Sequence, residues 1–306
     1  MTPRVAVLLS TYNGAAFLEA QLDSLLAQRG VEVEVFVRDD GSSDATREIL
    51  ARYAAHWPAL AEVSREANLG PAMSFLERLA TAPEGFDGYA FCDQDDVWLP
   101  DKLSRAAAQL AKVAEARPAL YCSGVTCVDA ELRPLGAAPI KDDPRFEHLV
   151  FENIAFGVTV VMNPAAARLV RSRRPRSGVA MHDWWCALVT AAFGEVTYDP
   201  RPSVLYRQHG GNEIGQASAR VGEIWRLARK FAKAPRRFYP IHAQATEFMR
   251  LWGDDLTPSR RAFVEALVRS KRSFAGRIAY AASGKVVREG FFGLLATRML
   301  IALGLY

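Results

Sequence analysis

The strongest constraint on the fold is a hydrophobic period that switches repeatedly between strand and helix through the N-terminal third of the chain. The run VAVLL at residues 5–9 is apolar without a break, the pattern of a strand covered on both faces. Phe17, Leu18, Leu22, Leu25 and Leu26 follow at helical spacing. A second strand is predicted over 33–41 (VEVFVRDDG), then a helix with Ser42 or Ser43 as N-cap and Asp44 in its first turn. Pro71 opens another helix, GYAFC at 88–92 is a further strand, and a helix follows Pro100. This βαβαβ rhythm predicts an α/β fold, a parallel sheet with helices on its faces.

After residue 118 the pattern loosens. Short strands are predicted within 119–132, a strand over 156–163 (FGVTVVMN), and helices over PAAARLVRS and 183–193. Late strands cover 195–199 and 203–209, 210–218 (GGNEIGQAS) reads as a linker, and residues from 219 on read as Arg-rich helices. Half of the 306 residues are hydrophobic, enough for a sizeable core. No stretch predicts a spanning helix, and the N-terminus does not read as a signal peptide. The four cysteines have no metal-ligand spacing and fit buried thiols in a reducing compartment. Charge is uneven: 220–306 carries 17 Lys and Arg against 6 acids, whereas 1–219 carries 21 against 28. An acidic body with a basic tail points to an anionic partner for the tail, anionic lipid ahead of nucleic acid.

In open α/β sheets ligands bind beyond the carboxyl ends of the strands. Here the first strand ends in Ser10, Thr11, Tyr12 and Asn13, the second in Asp39 and Asp40, and the 88–92 strand in Asp93, Asp95 and Asp96. Asp-Gly-Ser is a common turn, and an acid near a helix start favours its dipole; Asp101 suits that second role better than Asp95. Three polar strand ends at one rim go beyond turn chemistry. The crowded carboxylates read as a site for a hard divalent cation, Mg²⁺ or Mn²⁺.

The stretches LLSTYNG, RDDGSSDAT, ANLGPAMSF, FCDQDDVWLPDKL, MHDWW and YRQHGGN, in this order, resemble the family 2 glycosyltransferases. The likeness is greatest to bacterial rhamnosyltransferase-like members and covers residues 4–212. It implies the GT-A fold, a Rossmann-type mixed sheet flanked by helices, here with a C-terminal helical extension. A catalytic domain would occupy 1–218, with a nucleotide half at 1–118 and an acceptor half at 119–218, followed by the extension at 219–306. The implied activity is inverting sugar transfer from a dTDP- or UDP-sugar to a glycan or lipid-linked acceptor in surface polysaccharide synthesis. Asp40 would contact the nucleobase, Ser10, Thr11 and Asn13 would line the nucleotide pocket, and Asn68 and Gly70 would border it. Asp93 and Asp95 form the D-x-D motif, with Asp95 as metal ligand and Asp96 beside it. Asp183 takes the position of the general base, and His209 lies near the diphosphate and metal. Gln94 departs from the small residue many relatives carry at that position.

Several residues keep two readings. His182 either serves the acceptor or fixes the loop. Trp184 and Trp185 either both belong to the core, or one of them stacks on a sugar or borders the acceptor cleft. Glu152 and Asn153 face the acceptor or are structural, and His56, His148 and His242 are surface or satisfied core residues. In the tail, Arg226, Arg229, Lys230, Lys233, Arg236 and Arg237 alternate with Trp225, Leu227, Phe231 and Phe238, and the apolar end GFFGLLATRMLIALGLY follows. This suits an interfacial helix on an anionic membrane, with packing on the domain or burial in a dimer as alternatives. No nucleic-acid partner is expected, and the location is cytoplasmic, peripheral on the inner face of the plasma membrane. A sugar nucleotidyltransferase would want a basic phosphate loop, which STYNGAAF lacks. A non-catalytic nucleotide-sugar-binding module would have lost an acid that is present here.

Overall fold

A computed structural model describes residues 1–65, 68–138, 143–209 and 240–306. The predicted linker at 210–218 and the Arg-rich stretch at 219–239 lie outside the described residues. The N-terminal part alternates β1 (Arg4–Thr11), α1 (Leu18–Leu26), β2 (Glu32–Asp39), α2 (Thr46–His56), β3 (Leu60–Arg65), α3 (Pro71–Thr81) and β4 (Gly88–Cys92). Strands β3, β2, β1 and β4 lie side by side, all parallel. Val5, Ala6, Val7, Leu8 and Leu9 are each at most 1% exposed, so the unbroken apolar run is covered on both faces.

The chain then runs through β5 (Val97–Trp98), α4 (Lys102–Leu110), β6 (Ala119–Ser123), β7 (Thr126–Val128), β8 (Pro134–Ala137) and α5 (Phe146–Leu149). Next come β9 (Val161–Met162), α6 (Pro164–Ser172), α7 (His182–Phe193), β10 (Glu195–Asp199) and β11 (Val204–Arg207). Among the described residues the main sheet has seven strands in the order β10-β6-β9-β4-β1-β2-β3, with β9 antiparallel to both neighbours. A second sheet has the order β5-β11-β7-β8. The predicted 156–163 strand is shorter than expected: Gly157–Thr159 is a 3₁₀ turn and only Val161–Met162 pair. The Thr159 hydroxyl bonds the Phe156 carbonyl (2.8 Å) and accepts the Ser123 N–H (3.2 Å), so this backbone is held by a side chain instead of a ladder.

Four further described helices close the chain: α8 (Ile241–Trp252), α9 (Pro258–Ser270), α10 (Phe274–Ala282) and α11 (Phe291–Leu303). Ile241, Phe248, Trp252, Val264 and Leu267 join the same core cluster as Phe146 and Trp185, so α8 and α9 are packed onto the body. Arg260 Nη1 donates to the Ala192 carbonyl (2.6 Å), and Ala180 N to Gln244 Oε1 (3.2 Å). Among the described residues no helix is long and apolar enough to cross a membrane.

One buried acid ties the edge of the main sheet to α4. Asp199 Oδ2 accepts from Arg105 (2.7 Å), Arg201 (2.9 Å) and the Tyr121 hydroxyl (3.0 Å). Burial opposes its ionisation, but these donors outweigh it and hold its pKa below the ordinary carboxylate value. Its contribution is therefore present above the unfolded carboxylate pKa and lost as pH falls through the folded value. Asp199→Ala is expected to lower unfolding stability by roughly 3 kcal/mol at neutral pH, and by progressively less toward pH 3, in urea titrations.

Candidate active site

The strand order places the site. β1 has β2 on one side and β4 on the other, so the chain switches direction there and a crevice opens beyond the ends of β1 and β4. Ser10 to Asn13 leave β1 at this edge, Asp39 and Asp40 leave β2, and Asp93 leaves β4.

The β1 and β2 ends brace each other. Asp39 accepts the Thr11 hydroxyl (3.0 Å), the Ser42 N–H (3.0 Å) and the Ser42 hydroxyl. Thr11 is thus buried and turned to Asp39, away from the crevice. Ser42 is no N-cap either: the helix starts at Thr46, and the Ser42 hydroxyl accepts the Asn13 N–H (2.9 Å). Asn13, at φ 48°, holds Ser43 N through its side-chain oxygen (2.8 Å). Asp40 is buried, accepting from Arg38 Nε (2.9 Å) and the Ser74 hydroxyl (3.1 Å); Ser74 also meets the Ser10 hydroxyl (2.8 Å). Asn68 and Gly70 form an Asx turn (2.8 Å) before α3, and both are at least partly open to solvent.

Gln94 has a role that its departure from a small residue did not reveal. Its side chain accepts from Tyr12 N (2.8 Å) and donates to the Tyr12 carbonyl (3.0 Å), clasping the β1 loop as a strand would. The clasp requires Gly14, where a Cβ would stand 2.1 Å from Gln94 Oε1.

The acids of 93–96 divide by environment. Asp95 Oδ2 meets His209 Nε2 at 2.8 Å. Asp96 is fully buried; it accepts the Arg207 N–H (2.8 Å), and its second oxygen has no hydrogen-bond partner among the described residues. Asp93 is half-buried, and burial pushes its pKa up to about 8, with the negative fields of Asp95 and Asp183 adding to it. Asp183 is therefore within electrostatic reach of the strand-end acids, although 90 residues separate it from Asp93 in sequence.

Asp183 sits in the first turn of α7, where the helix dipole favours an anion. Burial pushes its pKa up to about 6, and hydrogen bonds from Trp184 N, the Asn153 side chain and Gly157 N hold it from rising further. His182 stacks on Phe75 (4.1 Å between centroids) and meets the edge of Phe91 (4.7 Å). Its ring nitrogens have no hydrogen-bond partner among the described residues, and burial lowers its pKa to about 3, so it is neutral. Gly157 gives His182 this space: a Cβ there would lie 2.9 Å from Nε2. Both tryptophans are core residues, the first of the two readings, and neither faces a sugar cleft. All of α7 but Phe193 is buried, and Trp184 Nε1 bonds the Leu149 carbonyl (2.5 Å). Glu152 turns to the C-terminal helices, accepting the Glu289 N–H (3.2 Å), whereas Asn153 serves Asp183.

Sequence reasoning missed Lys102 and Arg207. Lys102 is fully buried with Nζ 3.3 Å from the Trp98 ring centroid, and burial lowers its pKa to about 7. Arg207 donates Nε to the Asp95 carbonyl (2.8 Å) and lies over the Phe17 ring (4.6 Å). The available signal for Arg207 was its position two residues before His209, in a run read as one strand over 203–209.

Residues 6–140 match the profile of the family described as Glycosyl transferase family 2. They form a family 2 glycosyltransferase domain. The chain is similar to the dTDP-rhamnosyl transferase RfbG of Shigella flexneri, 26% identical over 223 residues, covering 68% of this chain and 73% of that protein. Against other curated relatives the chain aligns over 28% to 59% of their length. Its fold is similar to S. aureus TarS 1–349 in complex with UDP-GlcNAc, with a TM-score of 0.60 at 18% identity, over 98% of this chain and 81% of that one. It is also similar to the mannosyltransferase PcManGT from Pyrobaculum calidifontis in complex with GDP-Man and Mn2+, with a TM-score of 0.50 at 21% identity, over 99% and 86%. The fold of the glycosyltransferase is thus GT-A, a mixed sheet flanked by helices.

The clasp makes a testable pair. Gly14→Ala should lower affinity for nucleoside diphosphates and cost about 1–2 kcal/mol in stability, and Gln94→Ala should remove most of that added cost. A double-mutant cycle by calorimetry and thermal unfolding should give a coupling of about 1 kcal/mol.

Proposed function

We propose that the protein transfers a sugar, with inversion at the anomeric carbon, from a nucleoside diphosphate donor to a hydroxyl of a glycan or lipid-linked acceptor. A dTDP- or UDP-sugar is the donor class, and the likeness to RfbG favours rhamnose. In this reading residues 1–118 hold the nucleotide and 119–218 the acceptor. The extension at 219–306 meets an anionic membrane on the cytoplasmic face. The observation that supports the reading is that Asp95 and Asp183 both lie near enough to Asp93 for their negative fields to act on it, although among the described residues no three such side chains stand together as a preformed metal site.

Ser10, Asn13, Asn68 and Gly70 border the nucleotide, with Thr11 and Asp40 bracing the loops that meet the base. The acids fit a divalent cation, Mg²⁺ or Mn²⁺. Asp93 is costly to ionise as it stands, and Asp96 keeps a buried oxygen without a hydrogen-bond partner among the described residues. Asp95 and Asp93 would hold the ion from the crevice, Asp96 would brace them from below, and His209 would orient the Asp95 carboxylate toward the diphosphate. Such an ion, when bound, stabilises negative charge on the leaving diphosphate. Asp183 takes the proton from the attacking hydroxyl: a pKa of about 6 leaves it ionised at neutral pH yet more basic than an ordinary carboxylate. Trp184 N, Asn153 and Gly157 N fix its orientation, and His182 closes the apolar floor beside it. A sugar nucleotidyltransferase is disfavoured, since the β1 loop from Ser10 to Phe17 has no Lys or Arg.

Two measurements test this. With a panel of dTDP-, UDP- and GDP-sugars, turnover should require Mn²⁺ or Mg²⁺, vanish in EDTA and return on adding metal, and Asp95→Asn should abolish it. Binding without turnover of any donor would leave only a binding module. Asp183→Asn should cut transfer by roughly a hundredfold or more while leaving donor affinity within about twofold. In the wild type, kcat/KM should rise with pH up to about 6 and level off above it, because only the ionised carboxylate accepts the proton.

A further inference from the structure

Helices α10 and α11 pack against each other and carry an inverted surface. On α11 every exposed residue is apolar: Phe291, Phe292, Leu295, Met299 and Leu303. Four of these recur at every fourth position and form one stripe. Phe291 is 74% and Phe292 83% exposed. The polar Thr297 is instead buried, bonded to Arg288 (3.1 Å) and the Gly293 carbonyl (3.0 Å). On α10, Phe274 and Ile278 also face outward. A solvated helix shows the opposite arrangement, and a large exposed apolar patch marks an interaction surface.

Its surroundings are cationic. From Arg269 to Tyr306 seven Lys and Arg stand against Glu289 alone, a net +6. Arg272 and Lys285 are exposed on either side of α10, and the Arg277 guanidinium lies over the Phe274 ring at 5.6 Å. We propose that the outward face of α10 and α11 docks on an anionic phospholipid bilayer. Phe291 and Phe292 enter the headgroup–acyl boundary while the flanking cations meet lipid phosphates. Charge favours lipid over a second copy of this chain, because pairing through this face would bring together the exposed Arg272 and Lys285 of two copies with no exposed acid from this segment to offset them. At 13 residues α11 is far too short to span a bilayer, so it lies along the surface.

The docking face is tied to the candidate active site. Arg288 Nη2 pairs with Glu152 (3.5 Å), Glu289 N bonds the same side chain (3.2 Å), and the next residue, Asn153, bonds Asp183. Docking holds the chain at the membrane, where a lipid-linked acceptor resides. That consequence rests on the transfer reading above, whereas lipid binding does not.

The test is flotation of the full chain with vesicles of phosphatidylcholine alone or mixed with phosphatidylglycerol. The protein should float with the anionic vesicles, less so at high salt, and poorly with the neutral ones. The double variant Phe291→Ser, Phe292→Ser should reduce the bound fraction about tenfold or more. Arg272→Glu with Lys285→Glu should reduce it about thirtyfold or more, at about 1 kcal/mol for each cation lost. Thermal unfolding and nucleotide affinity should match the wild type in both variants. Equal recovery in the soluble fraction with all vesicles would overturn the proposal. So would a concentration-dependent dimer in sedimentation that the Phe variants abolish, which would assign the face to a second copy. Lipid binding by a protein that turns over no donor would sink the transfer reading and leave this one standing.

Discussion

The candidate site depends on a two-residue antiparallel ladder, Val97 with Leu205 and Trp98 with Val204. It fastens the segment after the three acids to a strand more than a hundred residues later. Through it the Arg207 N–H reaches Asp96, the Arg207 side chain reaches the Asp95 carbonyl, and His209 reaches the Asp95 carboxylate. Charge-assisted hydrogen bonds of this kind are stronger than neutral ones, which lets so short a ladder persist. Without it the acids would stand at the end of β4 as an unpartnered, mutually repelling group.

The neighbourhood is electrostatically tense by construction. Burial raises the Cys92 thiol well above its ordinary pKa, and Lys102 and the three acids all act on it in opposing directions. A cation on one side of β4 and carboxylates at its end thus share one small region. Lys102 rests on the Trp98 ring and has no hydrogen-bond partner among the described residues. Buried charge without full pairing costs stability, and such costs concentrate where a site must be ready for a charged ligand.

Much of the fold was legible. The unbroken run at 5–9 is buried on both faces, and the predicted strands at 33–41 and 88–92 lie parallel on either side of it, whereas β3 (Leu60–Arg65) was not predicted. The polar ends of β1, β2 and β4 do share one rim, with acids at two of them. Less legible was the division of labour among them. Thr11, Asp39 and Ser42 are polar residues in a polar loop, and nothing in their spacing says that they bond one another and turn from the crevice. Trp184 offered the same ambiguity, since an indole at a helix start suits a core or a sugar until the Leu149 carbonyl is seen to take its N–H. The 156–163 stretch has strand composition, but the Thr159 side chain captures the backbone groups that a ladder would have used.

Local periodicity by itself determined most of the N-terminal strands and helices and that polar residues fall at strand ends, because burial imposes its period on the sequence. Whether a given acid is a brace, a partner of Arg38 or a free-facing carboxylate was decided only by tertiary structure. Ionisation and hydrogen bonding depend on burial and on partners brought from afar: Gln94 to Tyr12, Ser74 to Asp40, Asn153 to Asp183. The apolar end of the chain shows the same limit. Its composition is plain in the sequence, but only the packing of α10 on α11 decided that Thr297 turns in and Phe291 and Phe292 turn out.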